Sequence, residues 1–462
     1  MIADLKPYAD YRDSGLPWLG QVPAHWQIVR SKRLFTPNKE LARTDDVQLS
    51  ATQAYGVIAQ STYEERTGYR VVKISMHLDK RRHVEVGDFV ISMRSFQGGL
   101  EHAWTAGAIR SSYVVLRPDS GVDPSYFRYL FKSKPYIRAL QATANFIRDG
   151  QDLNFNNFCD VHLPLVPLSE QAAIGQFLDW ATSRLDRAIR AKRRLIALLK
   201  EQRQAIIDRA VTGGIDSSVP LKPSGVKWLG DTPQHWATAR SKRLFTPRTE
   251  LALPGDVQLS ATQAYGVIPQ EEYEAKVGRR VTKIFMHLEK RRHVVRDDFV
   301  ISMRSFEGGL ERAWASGAIR SSYVVLKSAA PLNVDFFAYL FKSRAYIRAL
   351  QSTAEFIREG QDMNFANFCR VDLPIVPLEE QAAISSFITR STANLGESVA
   401  RFTGEVDLLR EYGARLISDA VTGQLDLRKA ATGLPAVDEH GETESSPQET
   451  GEDEESDEKA EA

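Results

Sequence analysis

The sequence predicts an α+β protein in which a mixed helix–strand globule followed by a long helix occurs twice in tandem. Three observations carry that prediction. First, every residue can be laid on the one 210 positions later without a gap. Trp18-Leu19-Gly20 falls on Trp228-Leu229-Gly230, Gln48–Ile58 on Gln258–Ile268, Asp88–Phe96 on Asp298–Phe306, and Gly107–Leu116 on Gly317–Leu326. A period this long marks a duplicated domain, because solenoid repeats run about 20–50 residues. Second, short β-branched and aromatic runs such as FVISM and SYVVL, bounded by Gly or Ser, read as strands. Third, each copy ends in a proline-free stretch whose apolar residues alternate four and three apart.

Taken in order, residues 1–25 form an N-terminal segment, and residues 26–167 a first globule large enough for its own core. Within it, PSYFRYLFKSKPYIRALQ carries apolar residues at helical spacing, and Asp123-Pro124-Ser125-Tyr126 reads as a helix start. Residues 168–213 form a long helix with a seam of Leu178, Ala181, Leu185, Ala188, Leu195, Leu199 and Ile206, interrupted by Lys192 and Gln202. It starts after Pro167 and ends near Gly213. About 40 residues at 1.5 Å each make a rod of roughly 60 Å. A linker, 214–235, leads to the second globule, 236–377. The second helix, 378–423, has the seam Ile388, Leu395, Val399, Phe402, Val406, Leu409 and Leu416. The simplest partner for each helix is its copy. Residues 424–462 form an acidic tail poor in apolar side chains, expected to be disordered.

Composition narrows the class. With 43% hydrophobic and 26% charged residues the chain is an ordinary globular one. Two cysteines in 462 residues exclude a disulfide scaffold. The polar N-terminus and the absence of long apolar runs point to a cytoplasmic protein without a membrane span. The net charge of +1 conceals a split: Asp438–Ala462 carries −11, leaving +12 on the rest. A basic body suggests a polyanion partner, nucleic acid first.

Catalytic constellations are missing. There is no phosphate-binding G-x-x-x-x-G-K-[ST] and no G-x-S-x-G elbow. Cys159 and His162 have metal-like spacing, but their copies are Cys369 and Asp372, so buried apolar cysteine is the better reading. Three loops instead recur with side chains suited to nucleic acid. The first holds Thr52, Gln53 and Tyr55, copied as Thr262, Gln263 and Tyr265. The second is Lys80-Arg81-Arg82, copied as Lys290-Arg291-Arg292, which would neutralise phosphates without reading sequence. The third is Arg94-Ser95-Phe96-Gln97 before a glycine pair, copied as Arg304-Ser305-Phe306-Glu307. Arginine pairs bidentately with guanine and glutamine with adenine.

These residues carry a resemblance to a known family. Ser14–Gly20 followed by Pro23-Ala24-His25-Trp26, repeated at Ser224–Trp236, resembles the N-terminal signature of the specificity (S) subunit of type I restriction–modification systems. Pro164–Ile174, repeated at Pro374–Ile384, resembles that family's motif leading into its spacer helix, and Ala210-Val211-Thr212-Gly213 its helix exit. Gly87–Arg94 resembles its recognition-domain motif, with Asp297 replacing the glycine in the second copy. The resemblance implies two tandem target-recognition domains separated by two long helices that form an antiparallel coiled coil, an internal pseudo-twofold repeat acting as a ruler. It implies double-stranded DNA as ligand and two methyltransferase (M) subunits carrying S-adenosylmethionine. It also implies motor-nuclease restriction (R) subunits using ATP and Mg. The chain itself would hold no cofactor, no metal and no catalytic residue, serving phage defence as a reader and scaffold.

Other readings stay open. The partner could be one chain that both methylates and cleaves, the protein could be a self-contained DNA-modifying enzyme, or it could be a coiled-coil adaptor. Because the candidate loops are almost the same in both halves, the expected target is an interrupted palindrome. Gln97 against Glu307 is the expected source of any imperfection, since glutamate accepts from cytosine.

Overall fold

The computed structural model describes residues 5–71, 80–92, 95–143, 155–278, 280–281, 290–302, 305–353 and 364–434. The chain divides into two compact units, residues 1–191 with 405–462, and residues 192–404. The first unit runs β1 (Tyr11–Asp13), β2 (Gln21–Pro23), β3 (Gln27–Arg30), β4 (Phe35–Asn38), β5 (Leu49–Thr52), β6 (Gly56–Ala59), α1 (Gln60–Thr67), β7 (Arg82–Val84) and β8 (Phe89–Ile91). It continues through α2 (Ser95–Gly98), β9 (Glu101–His102), β10 (Gly107–Ile109), β11 (Val114–Pro118), α3 (Pro124–Leu130), α4 (Lys134–Ala142), α5 (Phe155–Asp160) and β12 (His162–Leu165) into α6 (Leu168–Gly213). The second repeats this as β13 (Leu221–Pro223), β14 (Asp231–Pro233), β15 (Ala237–Arg240), β16 (Phe245–Pro247), β17 (Leu259–Thr262), β18 (Gly266–Pro269), α7 (Gln270–Val277), β19 (Arg292–Val294) and β20 (Phe299–Ile301). Then follow α8 (Ser305–Gly308), β21 (Glu311–Arg312), β22 (Gly317–Ile319), β23 (Val324–Ser328), α9 (Val334–Phe341), α10 (Arg344–Gln351), α11 (Phe365–Arg370), β24 (Asp372–Ile375) and α12 (Leu378–Val421), with α13 (Arg428–Ala431) last.

Each unit centres on an antiparallel sheet, β4-β11-β8-β9 in the first and β16-β23-β20-β21 in the second. Alternation along β8 explains the layers. Phe89 and Ile91 face a large aromatic cluster with Trp26, Phe35, Phe127, Phe131 and Phe158. Val90, pointing the other way, joins Leu49, Val57, Val84, Ile109 and Val115. A strand covered on both faces reads as an unbroken apolar run, which is why FVI lacks a polar position.

The run PSYFRYLFKSKPYIRALQ is two helices, not one. Asp123 caps α3 by accepting from Ser125 N–H at 2.9 Å. Ser133 ends it, its hydroxyl donating to Leu130 O at 2.7 Å, and Pro135 lies in the first turn of α4. The break persists in the second unit, where Ala345 stands for that proline and Ser343 caps α10 through Tyr346 N–H at 3.3 Å. The serine, common to both copies, is therefore the constant element.

The start of each long helix is clamped by the Glu-Gln pair of its motif. Glu170 accepts from Trp26 Nε1 at 2.9 Å, lies 2.8 Å from His25 Nε2 and accepts from the Tyr8 hydroxyl. Glu380 meets His235 at 2.7 Å and Trp236 at 3.0 Å. A carboxylate in the first turn also complements the helix dipole. Gln171 and Gln381 each accept from a backbone N–H of the loop before α3 or α9, at 2.7 and 2.8 Å.

Both units divide the long helices between them. In the first, Ile174, Phe177, Leu178 and Ala181 of α6 share a cluster with Leu416, Ala420 and Val421 of α12. In the second, Ile207, Ala210 and Val211 share one with Ile384 and Ile388. The start of each helix lies beside the end of the other, so the pairing is antiparallel. The α12 seam is buried or half-buried throughout. The α6 seam differs: Leu195 is 46% exposed, while Ile189 and Ile207 are buried and Lys192 Nζ lies 5.3 Å from the Phe402 ring centre. An α-helix drifts about 20° per heptad against a strict seven-residue repeat, so the buried stripe leaves the expected positions.

Residues 424–434, expected as the beginning of a disordered tail, instead complete the first unit. Leu427, Ala431 and Leu434 are buried in its core, and Asp426 N–H donates to Lys6 O at 2.8 Å. The strongly acidic stretch from Asp438 lies outside the described residues. The linker 214–235 likewise holds a hairpin, β13–β14, and a buried Leu229. Cys159 and Cys369 are half-buried beside the aromatic cores. No helix among the described residues is long and apolar enough to cross a membrane.

Candidate nucleic-acid interface

Two of the three candidate loops come together. The β5–β6 hairpin pairs Thr52 with Gly56 across a turn of Gln53, Ala54 and Tyr55. Thr52 Oγ1 donates to Gly56 O at 3.2 Å and accepts from Tyr55 N–H at 3.0 Å. Tyr55 meets Tyr63 edge-on at 6.3 Å, with the Arg66 guanidinium 5.5 Å from its ring centre. Gln53 is exposed and lies against α2, where a Cβ on Gly98 would come within 2.7 Å of its Cδ. The missing Cβ of Gly98 leaves room for the glutamine in this position.

The second unit repeats the arrangement. Thr262 Oγ1 donates to Gly266 O at 3.1 Å. Gln263 lies on Gly308, and Tyr265 is 39% exposed under Lys276 at 5.4 Å.

Within α2 the expected readers divide. Gln97 is exposed, as is Glu307 in α8. Ser95 and Ser305 are fully buried, accepting from Ser92 and Ser302 N–H at 2.9 Å. Phe96 is a core residue. These three anchor the loop and do not face solvent, because the short helix needs a cap and an apolar root. Arg94, Arg304 and the Phe306 side chain lie outside the described residues. Behind the loop, Glu101 is buried against Lys132 at 2.7 Å; burial outweighs the lysine and pushes its pKa up to about 7. In the second unit Lys342 holds Glu311 at 2.5 Å and donates to Gly308 O at 2.8 Å.

The basic loop is not the open phosphate cluster its composition suggests. Lys80 and Lys290 are exposed. Arg82 Nη1 donates to Lys39 O at 2.8 Å, and Arg292 Nη1 to Thr249 O at 3.2 Å. Arg81 and Arg291 are buried. His83, also buried, lies 2.8 Å from Asp46 and 2.9 Å from Glu85. Burial opposes its charging, but the two carboxylates outweigh that and raise its pKa. The chain enters β7 here, so alternate side chains must turn inward.

One residue of this surface was not anticipated. Trp104 is 45% exposed and Trp314 48%. A Cβ on Gly56 would sit 3.0 Å from Trp104 Nε1, so the hairpin turn leans on the indole. A guanidinium covers each ring, Arg128 at 4.8 Å and Arg312 at 4.2 Å. The available signal was the repeated G-G-L-E-x-A-W. Each unit thus presents a glutamine-bearing turn between a short helix and a cation-capped tryptophan, a surface suited to stacking and to hydrogen bonds with bases.

No protein-family model matches the chain. Over 117 residues it is 28% identical to the type I restriction enzyme StySPI specificity subunit of Salmonella potsdam. That stretch is 25% of this chain and 24% of the relative, so the match spans about a quarter of the relative's length. Among solved structures, a chain from a study of complex assembly and conformational transition of the type I R-M system superposes with a TM-score of 0.58 at 14% identity, covering 87% of this chain and 99% of that one. The HsdS subunit from Thermoanaerobacter tengcongensis gives 0.44 at 14% identity, covering 87% and 98%. The chain has the fold of a type I restriction–modification chain and is similar in sequence to a type I specificity subunit.

Proposed function

We propose that this chain is the DNA-recognition and scaffolding subunit of a type I restriction–modification system, each unit reading one half of a split site. The observation that carries the reading is the duplicated surface: Gln53 on Gly98 beside Trp104, and Gln263 on Gly308 beside Trp314. Two nearly equal readers suit a ligand with two similar halves. Docking of methyltransferase subunits is supported by apolar side chains left exposed along the long helices, Leu408 and Tyr412 in the first unit and Leu195 and Leu198 in the second. Methyl transfer from S-adenosylmethionine and any ATP- and Mg-dependent cleavage belong to the partner M and R chains in this reading.

Methylome sequencing of a host with and without the gene tests it. The expected result is one split motif, lost with the gene, whose halves are inverted copies or differ by about one base pair. Glu307→Gln is expected to make the motif more symmetric, because a mismatch at one position typically costs ~1–3 kcal/mol. Two unrelated halves would overturn the like-reader argument, and methyl transfer by the purified chain alone would overturn the non-catalytic role.

A further inference from the structure

Several partly buried arginines of this protein are held by a carboxylate. Arg117 is held by Asp88 at 3.2 Å, Arg248 by Asp298 at 2.6 Å, and Arg128 by Asp179. Arg81 differs from them. It is 5% exposed, its Nη1 is fully buried without a hydrogen-bond partner, and no carboxylate accompanies it among the described residues. The β7–β10 ladder pairs Arg82 with Ile109, so the next step of the register sets Arg110 opposite Arg81. Among the described residues, the charged group that acts on it is of like sign. Burial first, then Arg110, lower the Arg81 pKa.

The second unit keeps a buried arginine at the same place, although no nitrogen of Arg291 is among the fully buried, unpartnered atoms. Arg291 is 9% exposed, Arg292 pairs with Ile319, and burial followed by Arg320 lowers the Arg291 pKa. Elsewhere the two copies have diverged in their ion pairs, Arg128 and Asp179 becoming Ala338 and Thr389. Here both arginines of the pair are kept, and each loop continues into two exposed serines, Ser111-Ser112 and Ser321-Ser322.

Arginine cannot shed its proton in a protein, so a buried guanidinium without a counter-charge carries a desolvation cost that an anion would offset. Two guanidinia on opposed strand ends together offer enough N–H donors for the oxygens of a tetrahedral phosphate. We infer that Arg81 with Arg110, and Arg291 with Arg320, form one phosphate-binding site in each unit. The phosphate group is the shared chemistry. A backbone phosphate of the target DNA is its source, which rests on the recognition reading above, whereas the site itself does not.

The test uses the full chain with inorganic phosphate as probe at constant ionic strength. Calorimetry is expected to find two sites per chain, and thermal unfolding to shift upward with phosphate. The exposed Arg110→Ala/Arg320→Ala variant should fold normally and bind phosphate roughly tenfold more weakly. The Arg81→Met/Arg291→Met variant should unfold at a higher temperature than wild type without phosphate and lose the response to it. If it is instead less stable without phosphate, while the response survives, the arginines are packing residues and the site is overturned. In the assembled complex with its methyltransferase, losing one contact per unit should lower the slope of log affinity against log salt by about 1.8. An unchanged slope with phosphate binding abolished would overturn DNA as the source and leave the site. Phosphate binding by a complex that shows no DNA binding at all would overturn the recognition reading instead.

Discussion

The two units are most alike where they carry the turn and most different just behind it. In the first, Gly87 adopts φ +92° and His102 lies beneath Trp104, ring centres 4.5 Å apart. Burial, then Arg128, push the His102 pKa down to about 3. The cation over the indole comes from α3, as Arg128. In the second, Asp297 occupies the glycine position at φ +74°, the one non-glycine positive φ among the described residues. Arg312, replacing His102, donates Nε and Nη2 to Asp297 Oδ1 at 2.8 and 2.6 Å, and Nη1 to Asp335 at 2.5 Å. It also covers Trp314, and the former Arg128 position is Ala338. What the copies share is a guanidinium on the indole face, not the residue that supplies it. The strained aspartate is tolerated because the same arginine holds it.

Six substitutions sharpen or break this comparison. The largest effect is expected at the helix start. Glu170→Ala leaves the Tyr8 hydroxyl and Trp26 Nε1 without their acceptor in a buried site, and should cost about 3 kcal/mol in urea unfolding. Glu380→Ala, at a more open site with two donors, should cost about half as much. Equal losses would show that the added Tyr8 contact contributes nothing.

Next comes Glu101. Its pKa rises from an unfolded value near 4.5 to about 7 in the folded protein. A raised carboxyl contributes stability that is present below pH 4.5 and lost as pH climbs through 7. Wild type should therefore lose about 3 kcal/mol over that window, and Glu101→Gln should flatten the profile. An unchanged profile would mean that Lys132 compensates the buried charge fully.

Gly87→Asp alone should destabilise by about 1–2 kcal/mol, the cost of a non-glycine residue in this region. Adding His102→Arg should recover most of it. Additive losses in the double-mutant cycle would break the claim that arginine and aspartate act as a unit. The smallest effect belongs to Asp297→Gly, where relief of strain and loss of the ion pair oppose each other. Its stability should lie within about 0.5 kcal/mol of wild type.

Much of the fold is legible before any coordinates, and the legible parts are local. Pro167 and Gly213 bound α6 because a helix cannot extend through either signal without loss. Phe89-Val90-Ile91 reads as a strand from its own side chains. Asp123 announces the start of α3, whereas the Asn333 cap of α9 became visible only in the structure. The 210-residue repeat forces whatever one half adopts onto the other. Of the candidate interface, the hairpin and its glutamine were visible as a turn with polar side chains.

Tertiary structure alone decided the rest. That Gln53 rests on Gly98 depends on two loops about 45 residues apart being brought together by the fold. That Arg81 is buried while Lys80 is not depends on the inward turn at β7 and the strand laid beside it, which a basic tetrapeptide cannot reveal. Residues 424–434 read as tail because their few apolar side chains are too sparse to form a core. They fold because Leu427, Ala431 and Leu434 find one already built by residues hundreds of positions earlier. Periodicity and capping are properties of neighbours in sequence. Burial of a charge, or docking of a short segment, is set by free energies summed over contacts that only the folded chain brings together.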